Sequence, residues 1–182
     1  PLEQRAPPGD EAARVALGDV QHSICELLAF CVRQHAFPAK NALLRLNVVS
    51  AVLRLCESRE TYLVLDAVRF VRALVEAKDE FYCRHLVTCN AFAPIFRAFA
   101  RNGPVANLLN SAVLELCEFI RSANIHLLVE HLVEQHTYAF ENVRYVDTFK
   151  MLRARYEQNC EQSGTAAVRS MIAPAAAAAA NA

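Results

Sequence analysis

Glycine is scarce: the chain has four in 182 residues, at positions 9, 18, 103 and 164. Glycines so isolated cannot form the rich loop that cradles a phosphate. There is no tryptophan and methionine occurs only twice. Stretches alternating polar and apolar residues, as half-buried strands require, are missing. No uninterrupted apolar run reaches the ~18 residues of a membrane span. Residues 1–14 lack the basic start and apolar core of a secretory leader, so none is expected there. Neither CxxC nor HExxH occurs, and no serine stands in a nucleophile elbow or triad spacing. His126, Glu130 and Glu134 share a helical stripe, but His126 and His131 are five apart and off one face, so a solvated polar face is expected rather than a metal site. Catalysis, metal and cofactor are therefore not expected.

What is present is apolar and helical. Apolar residues make up 54% of the chain, and the length suffices for a buried core. The seven cysteines are odd in number and lie mostly on apolar faces. They read as reduced core thiols, which favours the nucleus and cytoplasm. Net charge is zero but polarised: residues 40–101 carry ten Lys/Arg against six Asp/Glu, and residues 110–147 carry two against six. The basic residues alternate with acids and few aromatics accompany them, so nucleic acid is not expected as a partner.

The stretch Pro104–Arg121 organises the rest. Asn102-Gly103 ends the helix before it, and Pro104 suits a first helical position. It is apolar nearly all round, as a helix packed between neighbours is. Leu109, Ala112, Val113, Leu116, Phe119 and Ile120 are expected to be almost fully buried beside Leu65, Val68, Val71 and Leu74. Upstream, Asp19 reads as the cap of a helix reaching toward Pro38. Shorter helices follow, then a long one over Glu60–Ala77, one from Asp79 and one ending at Asn102. Two more follow the central helix, the last over 142–158. Residues 1–18 read as a flexible lead-in, 19–159 as the helical domain and 160–182 as an Ala-rich low-complexity tail.

The order repeats. A shift of 45 lays Asp66 on Ser111, and a shift of 43 lays Ser23 on Asp66. Phe37 and Lys40 fall on Phe81 and Arg84. A three-helix unit of this period is the armadillo/HEAT pattern, in which each unit buries its apolar face against the next. The predicted fold is all-α: an armadillo/HEAT-like α-solenoid of about three repeats plus C-terminal helices, with the three long helices parallel in one layer. Each long helix keeps one narrow polar stripe: Asp19, Ser23, Glu26 and Arg33 on the first; Tyr62, Asp66, Arg69, Arg72 and Glu76 on the second; Asn107, Ser111, Glu115 and Glu118 on the third. Parallel stacking aligns these stripes into a ladder on the concave side, where solenoids bind extended partners. The candidate partner-binding residues are Tyr62, Asp66, Arg69, Arg72, Asn107, Asn110, Ser111, Glu115 and Glu118.

Several segments also carry a resemblance. KDEFY (Lys78–Tyr82), NLLNSAVLELCEFIR (Asn107–Arg121), YVDTFK (Tyr145–Lys150) and ELLAFCVRQHAFPAKN (Glu26–Asn41) resemble the regulatory subunit 3 family of protein phosphatase 4, with RFVR (Arg69–Arg72) in register. The likeness covers about residues 20–172 and departs from the family after RFVR, at Ala73–Glu76, and in the tail, which lacks acidic runs. It implies a non-catalytic regulatory or scaffolding subunit, with the phosphatase 4 catalytic subunit, its scaffold subunit and substrate proteins as partners, and no membrane. Repeat physics alone implies only an α-solenoid adaptor with some peptide or protein cargo.

Overall fold

In the computed structural model the described residues are 8–141 and 146–179, with side chains described over 11–35, 37–136 and 146–164. Among them are nine α-helices, one 3₁₀ turn and no strand. The helices are α1 (Pro8–Gln34), α2 (Ala36–Arg45), α3 (Val48–Leu53, continued by the 3₁₀ turn Arg54–Glu57), α4 (Thr61–Glu76), α5 (Glu80–Thr88), α6 (Phe92–Asn102), α7 (Leu108–Ser122), α8 (His126–Glu141) and α9 (Thr148–Ala179). The chain divides into two compact units, residues 1–116 and 117–182. The all-α class read from the sequence is what the structure has.

The period read from the sequence recurs in the contacts of the first unit. His22 reaches Asp66 across 44 residues, Arg72 reaches Glu115 across 43, and Arg101 reaches the Cys56 carbonyl across 45. Backbone turns repeat as well. Asn47 and Asn90, each two residues past a short helix, adopt left-handed φ of 50° and 48°. Lys78 and Asn124, each two residues past a long helix, do the same at 51° and 47°. Three of the four are asparagines, the non-glycine residue that best tolerates this conformation at a helix end.

α1 and α4 run parallel. Gly18 faces Tyr62, and His22 faces Asp66, so both contacts join residues 44 apart; a constant separation arises only when two helices point the same way. A Cβ at Gly18 would fall 2.1 Å from the Tyr62 hydroxyl, the far end of an exposed side chain that would swing aside. The core of the first unit centres on α4, where Ala67, Val68, Phe70, Val71, Leu74 and Val75 are sealed from solvent. In the second unit Leu128, Val129 and Leu132 of α8 and Leu152 of α9 are sealed likewise, and α8 is kinked at His136 (φ −125°).

Five expectations change. α1 starts at Pro8, so Asp19 is an interior residue and not a cap, and residues 8–18 of the expected lead-in are helical. α2 contains Pro38 in its first turn, where a missing N–H is tolerated. The central helix starts at Leu108 rather than Pro104. Its cap is Asn107, whose Oδ1 accepts the Asn110 N–H at 3.0 Å. The Asn110 amide donates to the carbonyls of Gly103 and Val105 at 2.8 and 2.7 Å, acceptors that a helix from Pro104 would have turned to its own backbone. In the expected core, Leu109, Val113, Leu116 and Ile120 are buried, but Ala112 and Phe119 are only half-buried. α9 runs without a break past 159, and residues 142–145 and 1–7 lie outside the described residues.

Candidate partner-binding face

On α4 the polar stripe has a buried and an exposed part. Tyr62 and Arg69 are exposed, Arg72 is half-buried, and Asp66 is 4% exposed. A carboxylate cannot be buried without a donor. His22 supplies it from α1, with Nδ1 2.7 Å from Oδ2. The hydrogen bond to Asp66, and then the charge of Asp66, raise the His22 pKa, so the pair favours an imidazolium. Glu26, one turn along α1, approaches His22 Nε2 at 3.7 Å.

Beside this pair the two helices leave a groove of about 230 Å³, lined by Cys25, Glu26, Ala29, Arg33, Asp66, Arg69 and Phe70. Its floor is apolar. Arg33 and Arg69 stand exposed at its mouth, and neither makes an ion pair among the described residues. Unpaired guanidiniums over a part-apolar cleft suit a bidentate acceptor such as a carboxylate. Burial, then the charge of Asp66, push the Cys25 thiol up to about 11, so it packs as a small hydrophobe.

Arg72 is committed elsewhere. Its Nε lies 2.9 Å from both carboxylate oxygens of Glu115, linking α4 to α7, and its Nη1 lies 3.6 Å from Glu76. Ser111 is exposed beside this bridge. In the second unit Glu118 pairs with Arg121, whose hydrogen bond holds the Glu118 carboxyl below its usual range. Asn107 and Asn110 belong to the start of α7. Asn102 and Asn107 exchange amide hydrogen bonds at 3.2 Å, and Asn102 donates to Asn110 Oδ1 at 2.8 Å. Asn110, 2% exposed, is spent inside the protein.

The structure thus brings together Tyr62, Asp66 and Arg69 with α1, and joins Arg72 to Glu115. It places Asn107 and Asn110 in a separate scaffold. The sequence reading missed His22 and the groove floor of Cys25, Ala29 and Phe70. The available signal was spacing: His22 lies four before Glu26 and 44 before Asp66, one repeat away.

A family model described as phosphatase 4 regulatory subunit 3 matches residues 4–158. The chain is 45% identical over 135 residues to the serine/threonine-protein phosphatase 4 regulatory subunit 3 of Drosophila melanogaster, covering 74% of this chain and 14% of that protein. It is 40% identical over 136 residues to the Mus musculus protein PPP4R3C1, covering 75% of this chain and 17% of that one. The chain therefore spans 14–17% of the length of these relatives. No solved structure matches. The groove and ladder residues all lie within the matched region, and the chain belongs to the phosphatase 4 regulatory subunit 3 family.

Proposed function

We propose that this chain is a non-catalytic regulatory and scaffolding element of a phosphatase 4 type serine/threonine phosphatase. It engages the catalytic subunit with its scaffold subunit, or holds substrate proteins for them, on the face formed by α1, α4 and the first turns of α7. The observation that carries the reading is the groove between α1 and α4, with two uncommitted arginines at its mouth, inside a region matched throughout to this family. Such a face recognises an extended acidic segment: Arg33 and Arg69 take the carboxylates, and Tyr62 adds apolar area with a polar tip. Buried free cysteines such as Cys56 and Cys117, with thiols both pushed up to about 12 mainly by burial, fit a reducing nucleus and cytoplasm.

The test is capture of purified phosphatase 4 catalytic and scaffold subunits by the chain, repeated with Arg33→Glu plus Arg69→Glu. Binding weakened about tenfold or more, on the scale of a lost charge-assisted hydrogen bond, supports the groove when the melting curve is unchanged. Unaltered capture moves the site off this groove. No capture of either subunit, with another protein retained by the same two arginines, makes the chain an adaptor for different cargo.

A further inference from the structure

A second pocket lies at the start of α4, away from the groove shared with α1. It holds about 290 Å³, where the 3₁₀ turn passes into α4 and α6 passes toward α7. Its floor is apolar: Val64, Ala98 and Leu109 are 2–4% exposed. Arg59, Arg101, Ser58 and Thr61 line the rest with hydrogen-bond donors.

Charge is unbalanced around this pocket. Arg59, Arg97 and Arg101 stand near Glu57 and Glu60, and both carboxylates already have a cation. Arg97 approaches Glu57 and Arg14 approaches Glu60, each at 3.8 Å. Arg59 and Arg101 make no ion pair among the described residues. Arg101 is nonetheless held in place, because its Nη2 donates to the Cys56 carbonyl at 2.8 Å, one repeat away. A guanidinium carries five N–H donors, so most of that fork remains available. Ser58 Oγ accepts the Glu60 N–H at 3.1 Å, which leaves its own proton for another acceptor. The Thr61 hydroxyl has no hydrogen bond among the described residues, and no side chain caps α4 at Glu60. The positive end of that helix opens on the same wall.

We propose that this pocket binds a phosphorylated serine or threonine within a protein segment. Two unpaired guanidiniums match the charge of about −2 on a phosphoryl group, whereas one carboxylate would neutralise only one of them. Three terminal oxygens reach donors on several sides, as planar carboxylate oxygens do not. The apolar floor receives the carbon stem of the modified residue. No aromatic side chain lines the pocket, so a nucleotide base has no ring to stack on. The α1–α4 groove differs in kind: its arginines share the space with Glu26 and Asp66. Here the one lining carboxylate, Glu57, has Arg97 beside it. The two sites share no residue, so this inference stands apart from the role given to the groove.

The test is fluorescence anisotropy of the chain with three labelled peptide pools, degenerate except for a central phosphothreonine, threonine or glutamate. The phosphothreonine pool is expected to bind more tightly than either other pool by about tenfold or more. Arg59→Gln and Thr61→Val, each alone, are expected to remove most of that preference without moving the melting temperature. Arg101→Gln is expected to remove it as well, with some loss of stability from the bond to Cys56. Arg33→Glu with Arg69→Glu is expected to leave the preference intact. Equal binding of the three pools overturns the proposal, as does a preference that survives Arg59→Gln or is lost in the groove variant. So does displacement of the phosphothreonine pool by an equal concentration of inorganic phosphate, which would make the pocket a site for a free ion only.

Discussion

Asn110→Ala tests whether the start of α7 is a scaffold or a binding surface. The Asn110 side chain makes three hydrogen bonds: two donated to the carbonyls of Gly103 and Val105 and one accepted from Asn102. It is 2% exposed, so water cannot replace these partners without opening the loop. At ~1 kcal/mol for each bond lost, the substitution costs about 3 kcal/mol. For a chain of this size that lowers the melting temperature by about 6–12 °C. Urea denaturation followed by circular dichroism gives the same quantity from the shift in midpoint at constant slope. Asn110→Asp is the sharper variant. It keeps the shape but sets a carboxylate against two carbonyl oxygens, so the folded state holds the new carboxyl protonated, with its pKa above the unfolded value. Its charge penalty is absent below the unfolded pKa of ~4, where only one of the two donated hydrogen bonds is lost, and is complete once pH exceeds the folded one. Asn110→Asp should therefore approach the wild type in acid and fall behind it toward neutrality. A loss under about 1 kcal/mol for Asn110→Ala, with normal stability of Asn110→Asp at pH 7, would refute the scaffold reading.

Three further outcomes follow from the charges. The folded pKa of His22 is raised, so its contribution is complete below the unfolded value of ~6.5 and is lost as pH climbs through the folded pKa; melting curves between pH 6 and 9 should show this fall, and His22→Gln should flatten it. His136 behaves oppositely: burial, then His131, hold its pKa down to about 4, so the second unit should lose stability as pH drops from ~6.5 toward 4, and His136→Phe should blunt that loss. Arg72 and Glu115 should show a coupling of about 0.5–1 kcal/mol in a double-mutant cycle by urea melts, with the swapped pair Arg72→Glu, Glu115→Arg recovering part of it; zero coupling would remove the α4–α7 bridge.

The helical class and the period were legible because each rests on spacing. Phe37 over Phe81 and Asp66 over Ser111 are patterns a stacked helix cannot avoid. The boundary of α7 was not legible from Pro104. Proline permits a helix start without requiring one, and the outcome turned on where the amide of Asn110 finds acceptors. Asp19 misled in the same way, since a capping residue type also sits on the open side of a longer helix. The polar stripes were visible, but their roles were not. Periodicity places Asp66 and Asn110 on a helix; only the neighbouring α1 and the 103–107 loop turn the first into a buried ion-pair partner and the second into a fastener. Phe119 shows the remaining limit: its residue type fits a core, yet it lies at the half-buried edge of α7.

The asparagine cluster also bears on how the protein ages. Asn102-Gly103 is the dipeptide most prone to succinimide formation, in which the glycine nitrogen attacks the asparagine side-chain carbon. Here that nitrogen donates to the Ala100 carbonyl at 3.2 Å, and both ends of the Asn102 amide are held by Asn107 and Asn110. The reacting atoms are kept from the geometry of attack while the cluster is closed, so the lifetime of this bond is set by how often the start of α7 opens. Each opening that ends in deamidation replaces an amide donor with a carboxylate beside the buried Asn110 oxygen. The cluster cannot then close as before, and a transient fluctuation becomes a permanent mark of elapsed time.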